Sequence, residues 1–220
     1  GNEIKQLIEE EKSVLFEGAQ GALLDVSLGT YPFVTSSNLI GGISSGVGIS
    51  PTKIDYSLGI AKAYTTRVGQ GPFPTELDNN IGEYLSKKGG EVGATTGRKR
   101  RCGWLDAVLL KHIVYLNGID GICLTKIDVL DGLESIKVCT NYKSSHAIED
   151  ILESMILDEV EPIYTDFKGW NEPTYGLNRF EDLNSNARKY IAALEELCGA
   201  PIVMISTGPK REDTIIRDIF

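Results

Sequence analysis

Four consecutive cations, Arg98, Lys99, Arg100 and Arg101, sit in the stretch GATTGRKRRCGW at residues 93–104 of a chain whose formal net charge is −9. Arginine presents a planar fork of donors that matches phosphate and carboxylate oxygens. In an extended loop alternate residues share a side, so Arg98 and Arg100 are expected to converge on one anion, with Lys99 turned away. Thr95, Thr96 and the backbone amides of Gly93 and Gly97 add neutral donors. The same run also reads as solvated surface charge. A nuclear-import or RNA-binding patch is a third reading, for which four basic residues in an acidic chain are thin ground.

A second candidate is LTKIDVLD at 124–131. Lys126 and Asp128 are two apart and share one side of an extended chain. Ligands of open α/β sheets bind where strands end. An aspartate there can accept from the N1–H and exocyclic amine of guanine while the lysine stem covers the ring. Adenine lacks that donor pair and would leave the carboxylate unpaired. A surface salt bridge explains the pair as well. STGP at 206–209 follows another apolar run and could close over the same base. In FEGAQG at 16–21, Gln20 offers an amide for a purine edge at a strand end, or is a solvent-facing turn residue. Glu17 beside it is either catalytic or a partner for a basic group.

Other chemistry is missing from the sequence. There is no GxxxxGK[ST] phosphate loop, and GGISSGVGIS has glycines without lysine or dinucleotide-fold spacing. His112 falls on an apolar helix stripe and is expected to be core or half-buried. His146 has no evident partner, and neither histidine reads as a general base. Cys102, Cys123, Cys139 and Cys198 lack ligand spacing and are expected to be free thiols, with no metal site.

The elements that must position these residues follow from periodicity. With 220 residues, 41% hydrophobic and 24% charged, the chain can build one substantial α/β core. Its acidity argues against nucleic acid or anionic membrane as partner. No apolar run approaches the roughly 18 residues of a membrane span. GNEIKQLIEEEK reads as part of a charged helix rather than a signal peptide, and the opening within an element is what a fragment would show. SVLFEGAQG is expected to be a buried strand ending at Gly18. Residues 29–50 read as a long loop, 52–62 as a helix, and AYTTRV as a strand. Trp104, Leu105, Val108, Leu109, His112, Ile113 and Leu116 define a helix. GICLTKID, IKVCTNY and PIVMISTGP read as strands. Polar residues 146–157 read as a helix, and Asn184 or Ser185 caps another running to Cys198.

LFEGAQG, GTYPFVTSSN, TRVGQGPFPTEL, GATTGRKRRCGWLD, LTKIDVLDG and STGP, in this order and spacing, resemble the adenylosuccinate synthetase family across essentially the whole chain. The resemblance is to the C-terminal half. It implies that residues 1–220 are the C-terminal part of one domain with a central mixed, largely parallel sheet of P-loop NTPase-like kind. The phosphate-loop portion, with the catalytic aspartate and histidine, has no match here. The implied activity is GTP-dependent ligation of IMP and L-aspartate to adenylosuccinate, the step that commits IMP to AMP, in a cytoplasmic homodimer. Mg²⁺ would be held mainly by the unmatched portion and the substrates. Gln20, Thr35, Val68 and Arg98 resemble IMP-contacting positions. Gly93, Ala94, Thr95, Thr96, Gly97, Arg98 and Arg100 resemble the loop over L-aspartate, with Arg100 also serving GTP. Lys126, Ile127, Asp128, Ser206, Thr207 and Gly208 resemble the guanine pocket. Lys99 between the two arginines keeps the charge but not the arginine fork. The chain alone is expected to be inactive. The alternatives are a non-catalytic purine-nucleotide-binding domain and a purely structural piece.

Overall fold

The computed structural model describes residues 1–93 and 97–217. The strands are β1 (Leu58–Lys62), β2 (Thr65–Arg67), β3 (Arg101–Gly103), β4 (Leu105–Asp106), β5 (Gly121–Thr125), β6 (Ser135–Lys143), β7 (Glu161–Lys168), β8 (Ile202–Ser206) and β9 (Thr214–Ile216). The helices are α1 (Asn2–Glu9), α2 (Gly41–Val47), α3 (Asn80–Lys88), α4 (Ala107–Asn117), α5 (Ile148–Ser154) and α6 (Ser185–Cys198).

The main sheet has the order β1-β5-β8-β9. Strands β1, β5 and β8 are parallel, and β9 returns antiparallel along β8. Strand β5 is central and apolar through Ile122, Cys123 and Leu124, all buried, as a parallel strand covered on both faces requires. At Gly121 a Cβ would stand 2.3 Å from the Tyr56 hydroxyl and 2.8 Å from Val203, so only glycine fits. Helix α6 buries Ala187, Tyr190, Ile191, Leu194 and Cys198 in the core that it shares with this sheet and with α4, along the stripe that its 3.6-residue period dictates. Asn184 caps it by accepting from the Asn186 amide, and left-handed Gly199 ends it. A second sheet, β4-β6-β7, carries the long β6–β7 hairpin, with a bulge between Cys139 and Asn141. Strands β2 and β3 form a small antiparallel pair.

The register decides where chemistry can sit. Lys62 pairs with Thr125, and Leu124 with Ile205. The carboxyl ends of β1, β5 and β8 therefore share one edge, from which Ala63, Lys126 and Ser206 emerge.

Several expectations are corrected. SVLFEGAQG forms no strand, because no described segment pairs with it, and Leu15 is 91% exposed. An apolar run needs a ladder neighbour before it becomes a strand. Within 52–62 there is no α-helix: a 3₁₀ turn at Pro51–Lys53 leads into β1, where pairing with β5 takes up Leu58–Lys62. Trp104 and Leu105 precede α4 rather than belonging to it. The loop 29–50 contains α2, and α3, capped by Asn79, was not anticipated. Residues 161–168, for which the sequence analysis names no element, are β7, paired antiparallel with β6.

Candidate functional site

The chain leaves β5 through Lys126, whose φ of +62° turns it sharply into the 3₁₀ turn Ile127–Leu130. Ile127 is wholly buried and anchors this turn, leaving Asp128 half-buried at the strand end. Beyond its own backbone amide, no described residue donates a hydrogen bond to the Asp128 carboxylate. Burial, reinforced by nearby Asp131, raises its pKa above the ordinary value, while the ammoniums of Lys88 and Lys126 pull the other way. Asp131 is occupied: it accepts from Trp170 Nε1 at 2.6 Å, the Thr174 amide at 2.8 Å and the Thr174 hydroxyl at 2.9 Å.

On the neighbouring strand end, Thr207 is wholly buried and structural. Its hydroxyl donates to the Leu177 carbonyl at 2.7 Å and its amide to the Asp213 carbonyl at 2.9 Å. Ser206 donates to the Gly208 carbonyl at 2.9 Å, and a Cβ on Gly208 would stand 2.4 Å from Asp213 Oδ2. The STGP turn is thus closed tightly beside the Lys126–Asp128 exit.

A residue that the sequence reading passed over dominates the site. Glu91 is fully buried, and its carboxylate receives Tyr64 Oη at 2.6 Å and Lys62 Nζ at 2.9 and 3.0 Å. Arg100 Nη1 lies at 2.8 Å and Lys126 Nζ at 3.1 Å. Burial pushes the pKa of Glu91 up, but hydrogen bonds from Tyr64, Lys62 and Arg100 outweigh it and hold the group at about 2. Lys126 also donates to the Gly89 carbonyl. With its ammonium tethered at both partners, the lysine's butyl stem is held in place.

The basic stretch forms one arm of a hairpin. Val92 bridges Lys99, the Gly93 amide donates to Arg98 O at 2.8 Å, and the Arg100 amide donates to Glu91 O at 2.9 Å. Gly97, at φ +63°, occupies the left-handed conformation that the turn demands. Ala94, Thr95 and Thr96 lie outside the described residues. The buried carboxylate of Glu91 holds Arg100 at 2.8 Å. Arg98 Nη1 lies 3.7 Å from where a Cβ on Gly69 would stand. Arg101 turns to Glu76 and to the carbonyls of Gly69 and Gly71, at 3.2 and 2.8 Å.

The remaining candidates lie on loops built around two polar residues. Buried Asp25 accepts from the amides of Ser27, Leu28, Asn38 and Leu39. Burial opposes its ionisation, but those four donors lower its pKa overall. Arg67, also buried, donates to Thr30 Oγ1 at 2.8 Å and Phe33 O at 3.3 Å, fastening the Val68 turn to the loop that carries Thr35. Val68 and Thr35 are exposed. Gln20 is exposed with φ +64°, and Ser36 Oγ lies 3.5 Å from its Oε1, but there is no strand end for it to occupy. Glu17 is exposed as well. His112 is half-buried, and burial lowers its pKa. His146 does have a partner, Glu159 at 3.3 Å. The four cysteines are free and buried. Among the described residues no cluster of His, Cys, Asp and Glu could hold a metal ion, and no helix is long and apolar enough to cross a membrane.

The family profile of adenylosuccinate synthetases matches residues 1–215. The chain belongs to the adenylosuccinate synthetase family. It is 57% identical over 208 residues to the adenylosuccinate synthetase of Chromohalobacter salexigens, covering 93% of this chain and 48% of that protein. To the synthetase of Hahella chejuensis it is 56% identical over 211 residues, covering 94% and 49%. The fully ligated adenylosuccinate synthetase of Plasmodium falciparum superposes with a TM-score of 0.92 at 45% identity, covering 99% of this chain and 53% of that one. A succinoaminodeoxyadenylate synthetase of cyanophage S-2L, at 18% identity and a TM-score of 0.56, shares the fold alone. The chain spans about half the length of the curated synthetases it matches.

Proposed function

We propose that this chain supplies the base-reading and anion-reading part of a GTP-dependent ligase that joins IMP and L-aspartate into adenylosuccinate. The observation that carries this reading is Asp128, a half-buried carboxylate at a parallel strand end whose hydrogen-bonding capacity is left open. Guanine's N1–H and 2-amino group supply the two donors it lacks. The tethered stem of Lys126 forms a wall for the ring, and Ser206 and Gly208 close the neighbouring strand end. Ile127 and Thr207 hold those turns from within.

In this reading Arg98, with the Gly93–Gly97 loop, meets the L-aspartate carboxylates, and Arg100 serves both L-aspartate and GTP. Gln20, Thr35, Val68 and Arg98 contact IMP. Binding and orientation are therefore this chain's contribution. The described residues do not compose a Mg²⁺ site. The reading leaves Mg²⁺ to the nucleotide phosphates and to the part of family members that this chain does not match, together with the acid–base groups. A cytoplasmic homodimer completes it.

The test uses a full-length enzyme carrying this chain. Asp128→Asn keeps the shape but turns one acceptor into a donor facing a donor. Loss of GTP recognition is expected to be about 1.5–3 kcal/mol in kcat/KM. Xanthosine triphosphate, with an oxygen at position 2, recovers part of that loss. An unchanged ratio of kcat/KM for the two nucleotides removes Asp128 from the base edge. Nucleotide binding without any adenylosuccinate would leave a purine-nucleotide-binding domain.

A further inference from the structure

Three cations from three parts of the fold share the one carboxylate of Glu91: Lys62 at the end of β1, Lys126 at the exit of β5, and Arg100 on the basic hairpin. Tyr64 donates to it as well, and its phenol stays neutral because burial, the hydrogen bond to Glu91 and the carboxylate's charge all raise its pKa. The ion cluster therefore holds a surplus of positive charge. Its cations remain open to solvent, with 25% of the Lys62 side chain, 29% of Arg100 and 34% of Lys126 exposed, while Glu91 is at 0%. The backbone fixes the hub too: the Glu91 amide donates to Ser86 O, and its carbonyl accepts from the Arg100 amide at the base of the hairpin.

A carboxylate serving stability alone needs one cation, and an apolar group of the same size is often no worse in such a place. Here the surplus charge belongs to the two groups that stand at the proposed nucleotide and L-aspartate positions. We propose that Glu91 is the positioning residue through which GTP and L-aspartate promote each other's binding. This rests on the proposed function for the identity of the two ligands. Arg100 holds Oε2 and Lys126 holds Oε1 of the same carboxylate, so the two cations draw on one negative charge. An anion that takes part of the charge of Arg100 leaves Glu91 to hold Lys126 more firmly, which fixes the stem against which the base stacks. Seating the base on that stem fixes Glu91 in turn, and with it the hairpin that carries Arg98 and Arg100. The coupling is positive and, for binding equilibria, equal in both directions.

The experiment measures binding in the full-length enzyme carrying this chain, at saturating IMP and Mg²⁺. The probe is the β,γ-imido analogue of GTP, which cannot transfer its phosphoryl group. Its Kd with and without L-aspartate is expected to differ by about fivefold or more, and the Kd of L-aspartate to shift equally. Glu91→Gln keeps the shape and removes the charge. It is expected to weaken both ligands and bring the coupling below about twofold, under the usual allosteric range. Glu91→Asp restores the charge at shorter reach and recovers part of the coupling. Independent binding in the wild type overturns the proposal, and that arm needs no variant to fold. A Glu91→Gln enzyme with a lowered Tm but wild-type coupling reduces Glu91 to a stabilising residue and overturns it as well. Failure to bind either ligand overturns the proposed function instead, so the two failures are distinguishable.

Discussion

Asp128 and Asp131 lie in one short turn, and only their partners tell them apart. Asp131 is held by Trp170 and Thr174, whereas the Asp128 carboxylate accepts from its own backbone amide and from no other described residue. The spacing of TKIDVLD drew attention to Lys126 and Asp128, but alternation along an extended chain does not hold there: Lys126 is left-handed, Asp128 is half-buried in the 3₁₀ turn that follows, and the lysine pairs with Glu91 instead. Glu91 could not be read this way. Its partners come from residues 62, 64, 100 and 126, and nothing local marks a single glutamate before GATTG as their meeting point. An acid beside a basic hairpin was the only available signal. The same hub holds Arg100, an attachment that alternation along the basic run does not reveal. Arg98 is the direct test of the anion reading. In the full-length enzyme Arg98→Leu is expected to cost about 2–5 kcal/mol in L-aspartate use, as for a charged hydrogen bond broken in a desolvated site. GTP binding, measured separately, stays within a small factor of wild type. Unchanged aspartate kinetics would remove Arg98 from the site.

The sequence revealed α1, β2, β5, β6, β8, α4, α5 and α6, most clearly where internal period is strong, as in α4 and α6, or where cover on both faces makes an apolar run, as in β5. Those it hid depend on a neighbour. Residues 58–62 become β1 only because β5 is alongside, and SVLFEGAQG forms no strand because no described segment forms a ladder with it. Helix α4 illustrates how an element can carry a titratable cost. Its N-cap, Asp106, accepts from the Leu109 amide at 3.1 Å and the Tyr142 hydroxyl at 2.6 Å. Burial raises its pKa to about 6 despite these donors. The folded pKa lies above the unfolded value of 3.8, so the charged form opposes folding above about pH 6. That cost fades as pH falls from 6 toward 3.8. Asp106→Asn caps nearly as well and cannot ionise. Its Tm relative to wild type is expected to be higher at pH 7.5 than at pH 4.5, and a Tm difference independent of pH would contradict this. Glu91 has the opposite sign: its depressed pKa stabilises the fold above about 4.5 and is lost as pH falls toward 2.

At the scale of the whole molecule, one edge of the main sheet gathers Lys62, Lys126, Asp128, Ser206 and Gly208, and the basic hairpin joins it through Glu91. In the proposed reading, what gathers there recognises and orients; among the described residues no group of His, Cys, Asp and Glu could hold a metal ion. Leu15 and Ile60, 91% and 69% exposed, show apolar surface on the segment before residue 20 and on the edge strand β1. Because the chain spans about half the length of its curated relatives, the division of labour itself is the central claim. Phosphoryl transfer needs positioning of the nucleotide and neutralisation of its charge together. The direct measurement is adenylosuccinate formation from IMP, L-aspartate and Mg²⁺, followed with GTP and with ATP, by the full-length enzyme and by the 220-residue chain alone. The full-length enzyme is expected to turn over with GTP and poorly with ATP, and the chain alone to give no product. Turnover by the chain alone, or equal use of ATP by the full-length enzyme, would contradict the account.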